Sequence, residues 1–333
     1  VIDIFDIMDT PGANVQIFTV SGSSNNELKV WQKPRGAKLI AMFALGAGSS
    51  GGCGVNTGTT SGGGGGGGSG SQSSLLIPAI FVPDNLLIMI PAGGKQPAAL
   101  VSGAAQALPS GGSTFVYLEH PATFFSNYDA FLQATNPTAS VAAANTTAGG
   151  VAGAAAGAAS ITNMILAGKG FYNLLPGQAG GSGNTATAGT LTIPQTGLLA
   201  MGGSGGGGAS ATPGPGGNTV LGSASLASYW TRPGNSTDQQ PGGRAASGAT
   251  PADSGVSGAK CFSSTTNRTI TNIMNLGGTG GGGASTTAGG NAGAGGGGSY
   301  GSGGGGAGGS TTTNATLARP GDGGDGLVVI VSF

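Results

Sequence analysis

Seven glycines in succession, residues 62–68, stand between two apolar segments, LIAMFAL at 39–45 and LLIPAIFV at 75–82. Such a run has no side chain to bury, and glycine loses more conformational freedom on folding than any other residue. A fold that includes it must leave it as a flexible connection or fix its bare backbone through hydrogen bonds. The choice concerns the whole chain, because 74 of the 333 residues are glycine. Disorder would require low hydropathy and high net charge. Here charged residues are 7%, the formal net charge is zero and mean hydropathy is slightly positive. A neutral, charge-poor chain of this length would precipitate as a random coil, so a folded and assembled protein is expected.

Short β-prone segments alternate with the glycine-rich ones. Residues 15–20 (VQIFTV) read as a first strand, rich in β-branched and aromatic residues. In 28–46 (LKVWQKPRGAKLIAMFALG), Pro34 and Gly36 mark a turn and 39–45 is apolar at nearly every position. That pattern suits a strand buried on both faces better than a helix, which would begin and end badly here. Residues 80–90 (IFVPDNLLIMI) read as two short strands around a Pro83-Asp84-Asn85 turn, and 113–119 as another strand. Residues 127–134 are expected to form a short helix near Phe124, Phe125, Tyr128 and Phe131. The alanine-rich stretch 140–160 suits helix and extended chain equally. The last residues, LVVIVSF at 327–333, are apolar on both faces and should be central in a sheet, beside 39–45.

An internal repeat marks the second half. Residues 199–212 read LAMGGSGGGGASAT and 274–287 read MNLGGTGGGGASTT, aligned without gaps 75 positions apart, with 43–52 (FALGAGSSGG) a looser third copy. Two readings of the glycine runs stay open. One is flexible surface loops. The other is close-packed polyglycine II helices, with three residues per turn and backbones bonded to their neighbours, where only glycine fits at the crowded contacts. Anchoring of the runs by strands at both ends weighs toward the second. The expected organisation is an N-terminal arm and first strand at 1–27, then a glycine-rich β domain at 28–333 with 113–160 as a candidate insertion. The expected fold class is all-β, a β-sandwich-like core with long glycine-rich connections.

Three segments, in this order, resemble the glycine-rich domain family of bacteriophage tail and virion-surface proteins. WQKPRGAKLIAMFALGAGSSGG, residues 31–52, resembles its opening: an aromatic residue, Lys-Pro-x-Gly, an apolar strand and Gly-Ala-Gly. FVPDNLLIMIPAGG, residues 81–94, resembles its next element, with Asp84-Asn85 where the family usually has glycine, and GGDGLVVIVSF, residues 323–333, resembles its closing strand. The segment 115–159 and the acidic N-terminus have no counterpart in the family. The resemblance implies a β-sandwich with glycine-rich connections displayed on a virion, often in fibres or adhesins.

Other chemistry reads weakly. The Lys and Arg residues are scattered, so no phosphate-tracking stripe exists and no nucleic-acid partner is expected. Gly93-Gly94-Lys95 lacks the Ser or Thr and the following helix of a phosphate loop. His120, the single histidine, completes no triad or metal set. Asp3, Asp6 and Asp9 read as the solvated face of an arm whose Ile2, Phe5 and Met8 dock elsewhere, and Asp322 and Asp325 as turn residues, not a calcium repeat. Cys53 and Cys261 are too far apart in sequence for a metal knuckle, and both a disulfide and two buried thiols remain open. The Asn-x-Ser/Thr sequons at Asn145, Asn235, Asn267 and Asn314 are what chance yields in so Ser-, Thr- and Asn-rich a chain. The longest apolar stretch, 75–92, is broken by Pro78 and Pro83, so no membrane span is expected. The start VIDIFDIMD is acidic, unlike a signal peptide, so release with a virus particle is the expected route outside the cell.

These readings lead to one expectation: a non-enzymatic virion structural protein without cofactor or metal, made in the host cytoplasm. It would assemble as a homo-oligomer and with other virion proteins, as a fibre, spike, decoration or tail component. Two alternatives stay beside it, a receptor-binding adhesin for host surface glycans and a bacterial surface or matrix protein. For the adhesin, Tyr229, Trp230 and Arg232 in SYWTRPGN are the candidate glycan contacts, since aromatic faces stack on sugars; Trp230 equally suits a core plug.

Overall fold

The computed structural model describes residues 12–21, 26–55, 60–96, 109–118, 130–137, 168–184, 191–192, 200–210, 212–220, 239–240, 252–255, 257, 277–279, 281–284, 291–310 and 317–333. Among the described residues, twelve strands follow in chain order: β1 (Asn14–Thr19), β2 (Glu27–Gln32), β3 (Leu39–Leu45), β4 (Gln72–Pro78), β5 (Asn85–Ile90), β6 (Thr114–Tyr117), β7 (Ala130–Ala134), β8 (Phe171–Leu175), β9 (Leu191–Thr192), β10 (Thr219–Val220), β11 (Gln239–Gln240) and β12 (Leu327–Ser332). Two antiparallel sheets carry the core. One has the order β1-β12-β3-β4-β8 and the other β2-β5-β6-β7; β9, β10 and β11 form a small third sheet. The fold is all-β, with a sandwich-like core.

Alternation along the strands explains why two sheets close on each other. Ile40, Met42 and Ala44 of β3, with Val328 and Ile330 of β12, point into the space between the sheets. From the facing sheet come Trp31, Leu86, Ile88, Val116, Phe131 and Leu132, all nearly solvent-free. The intervening residues Ala41, Phe43, Leu45, Leu327, Val329 and Val331 form a second buried cluster on the opposite face of the first sheet. Strands buried on both faces are apolar at every position, which is what residues 39–45 and 327–332 display. β12 lies between β1 and β3, with Leu327 opposite Leu45 and Ser332 opposite Ile40, so the chain's closing segment does sit centrally beside 39–45.

Two local expectations are corrected. The helix expected over 127–134 is absent: Ala130–Ala134 is strand β7, and 127–129 fall outside the described residues. All five residues of β7 are buried, and Leu132 lies opposite Val116 in the sheet, so pairing with β6 and burial on both faces override local preference in so short a segment. The expected pair of strands in 80–90 is one strand. Ala79–Phe81 makes a single 3-10 turn between Pro78 and Pro83, and only Asn85–Ile90 pairs. Proline on either side removes the amide donors a strand there would need. The chain turn ahead of β3 is placed as expected, with Gly36 at φ 84°.

Candidate functional site

Beyond the end of the sandwich where β3 and β12 meet the glycine-rich segments, the chain builds a body from backbone. Residues 62–70 run back toward β4, and their bonds repeat every third residue. The amides of Gly63, Gly66 and Ser69 donate to the carbonyls of Asn184, Gly181 and Gln178. The amides of Gly64, Gly67 and Gly70 donate to Ala307, Gly304 and Gly301. The carbonyls of Gly62, Gly65 and Gly68 accept from Val55, Gly52 and Ser49. One extended segment is thus bonded to three neighbours in three directions, and each face is reached once in three residues.

The two repeat copies lie side by side in this body. Ser204 and Gly207 donate to Gly278 and Gly281; Gly278, Gly281 and Ala284 donate to Gly303, Gly306 and Gly309; and those three amides return to Met201, Ser204 and Gly207. Residues 201–209, residues 278–279 with 281–284, and residues 303–309 run parallel and therefore close a cycle of bonds. The third member of this set is 302–310 (SGGGGAGGS), which sequence comparison alone passed over in favour of 43–52. The signal was present in the sequence, since 301–307 (GSGGGGA) repeats 203–209 without a gap; the copy stands out less because no apolar segment leads into it and Gly-Gly replaces the Ser-Ala that follows Ala209. Residues 49–55 do join the same body, as acceptors for Gly304, Ala307 and Ser310.

Glycine is needed here for space. A β-carbon on Gly206 would overlap the Ala307 carbonyl, and one on Gly281 the Gly293 carbonyl. Neither glycine has a positive φ, whereas Gly301, at the turn into 302–310, has φ 68°. At several positions where serine replaces glycine the hydroxyl takes a backbone partner, while the buried hydroxyls of Ser61 and Ser310 have none among the described residues. Ser49 Oγ accepts the Gly68 amide at 2.9 Å, Ser69 Oγ accepts the Gln178 amide at 2.7 Å, and Ser204 Oγ donates to the Gly217 carbonyl at 2.6 Å. Burial of so much amide is sustainable only with such pairing. Cys53 is also enclosed in this body, and burial pushes its thiol up from 9.0 to about 11.

A charged clip closes the side of the body. Asp325 Oδ1 accepts the Gly93 amide at 2.8 Å, Asp322 Oδ1 accepts the Gln96 amide at 2.9 Å, and Lys95 Nζ stands 3.6 Å from Asp325. These acids join the exit of β5 to the approach to β12, a long-range tie in extended chain where the sequence reading expected turn residues. Burial and the Asp325 charge raise the pKa of nearby Tyr300, against a hydrogen bond to Thr19 that lowers it.

The glycan-contact candidates Tyr229, Trp230 and Arg232 lie outside the described residues, as do His120, Cys261, the arm acids, the stretch 140–160 and the four sequons. Among the described residues, no group of three His, Cys, Asp or Glu side chains gathers, and no helix is long and apolar enough to cross a membrane. Compared with known proteins, the chain matches no family model and no curated sequence.

Proposed function

We propose that this chain is a non-catalytic structural component of a bacteriophage particle, a fibre, spike, decoration or tail part. The observation that carries the reading is the three-residue periodicity of the backbone bonds in the glycine-rich body. We read the arrangement as packed polyglycine II helices mounted on a β-sandwich. Such a body is stiff and, among the described residues, built almost without ionisable groups; those are properties of an architectural element. The segments that resemble the phage glycine-rich family support the reading, because they form the parts that join sandwich to glycine body. Residues 31–52 supply the end of β2, all of β3 and the first glycine segment; residues 81–94 supply β5 and its exit; residues 323–333 supply β12.

Mass spectrometry of phage particles purified from a host carrying the gene tests the proposal. Recovery at a fixed copy number, with the gene among capsid, portal or tail genes, is the expected result. Absence from the particles would overturn it. Adsorption of particles lacking 228–235 separates a purely structural role, in which attachment is unchanged, from an adhesin.

A further inference from the structure

Large apolar side chains gather in the open at the end of the sandwich remote from the glycine body, apart from the exposed Leu28 and Val30 of β2. Ile80 is 84% exposed, Phe171 77% and Phe81 41% in the single chain. They lie together: Phe171 pairs with Leu76 of β4, and β4 leads directly into the 3-10 turn that carries Ile80 and Phe81. Lys169 Nζ sits over the Phe81 ring, 5.4 Å from its centre. The Lys38 carbonyl takes the Ala79 amide at 2.9 Å, which fixes the turn at 33–38 with its exposed Arg35 and Lys38 beside the same patch. Lys33 is neutralised there by Asp84 at 3.0 Å. Among the described residues no carboxylate pairs with Arg35, Lys38 or Lys169. The patch is therefore apolar and basic at once, in a chain whose net charge is zero.

The chain also contains a segment of complementary chemistry. Residues 1–9, VIDIFDIMD, carry three acids and no cation, with Ile, Phe and Met between them. This segment leads into β1 at the same end of the sandwich: Asn14 lies opposite Ser332, and Phe333, next in the chain, accepts the Lys38 amide. In the single chain Ile80 and Phe171 are largely open to solvent.

We propose that this end is a self-association surface, covered by the acidic, apolar segment 1–9 of a second copy of the chain. Because surface and segment share one end, two copies exchange segments reciprocally, and a two-fold pair satisfies both surfaces and closes. Aromatic and aliphatic anchors supply the contact area, and the acids meet Arg35, Lys38 and Lys169 at its rim. The inference is independent of the particle reading, and either can fail without the other.

Light scattering with size separation tests it on the full chain, a deletion of residues 1–9, the double variant K38E/K169E and the double variant I80D/F171D. The full chain is expected as two copies at micromolar concentration, and the deletion and I80D/F171D as one. K38E/K169E should weaken association by about tenfold, and salt raised from about 0.05 to about 0.5 M should weaken the full-chain pair as well. A synthetic peptide of residues 1–9 should split the pair. A full chain that stays single at every concentration overturns the proposal, whether its own segment covers the patch or nothing does. So does a pair that survives the deletion. Should I80D/F171D lose its β-sheet circular dichroism, the deletion decides, since it removes no residue of any described strand.

Discussion

At Gly206 and Gly281 a methyl group decides whether the glycine runs are packed structure. Replacing glycine by alanine where the backbone permits it stabilises a protein by about 0.4–1 kcal/mol, because the unfolded chain loses freedom. Gly206→Ala and Gly281→Ala should do the opposite, since each new carbon overlaps a neighbour's carbonyl. Gly297 supplies the contrast: a β-carbon there would meet nothing closer than 3.8 Å, and its φ is not positive. Thermal unfolding of the three variants should lower Tm for the first two and leave it level or slightly higher for Gly297→Ala; equal Tm values would return the runs to plain loops. Gly206→Val and Gly281→Val should cost more than the alanine changes. Cys53 makes a second prediction at this scale. Its thiol is raised from 9.0 to about 11 in the folded chain, so folding favours the protonated form. That stability is fully present below about pH 9 and is lost as pH rises toward about 11. Denaturant titrations across that window should show the decline, and Cys53→Ala should remove only part of it, because burial also raises Tyr172 and Tyr300. Native Cys53 should resist alkylation at about pH 8 and react after unfolding.

Strand β12 is the element on which most of the architecture converges. Val329 is fully buried, opposite both Ile17 of β1 and Phe43 of β3. Val329→Asp places an unpaired carboxylate among Ala41, Leu45 and Val331, and should prevent folding outright, read as loss of soluble protein and of β-sheet circular dichroism. Native-like soluble protein would refute that placement. The clip at Asp325 predicts a smaller effect: Asp325→Ala leaves the Gly93 amide without its partner and should cost about 1–3 kcal/mol in denaturant unfolding. The elements also show where local reading holds and where it fails. β3 and β12 were legible because seven and six consecutive small or apolar residues leave few alternatives. β7 was not, because AFLQA has no period of its own and becomes a strand only against β6. Ile80 and Phe81 read as strand residues by type, yet the flanking prolines were a visible signal that they could not pair, and so that their side chains could end up on the surface.

Across the whole molecule, sandwich and glycine body are joined by the same backbone. Residues 46–54 continue β3, residues 61–71 lead into β4, and residues 321–326 lead into β12. Unfolding the body would strip bonds from the ends of three core strands, so the two should open together. Hydrogen exchange should find the amides of Gly203 and Gly206, which donate to Gly67 and Gly64, protected to within about tenfold of those in β12. Rapid exchange confined to the glycine segments would show the body to be an independent, weaker unit. Much of this was determined by the sequence alone. Apolar runs without alternation favour strands buried on both faces, the scattered low charge offers no phosphate-tracking stripe, and the repeat at 199–212 and 274–287 marks glycine counts that are kept. What the tertiary structure decided is which segments touch. Glycine has no side chain with which to select a partner, so any run suits any neighbour until the sandwich sets where each begins. Only then do 201–209, 278–279 with 281–284, and 303–309 come into one cycle of bonds, and only then does the position of each missing β-carbon acquire a meaning.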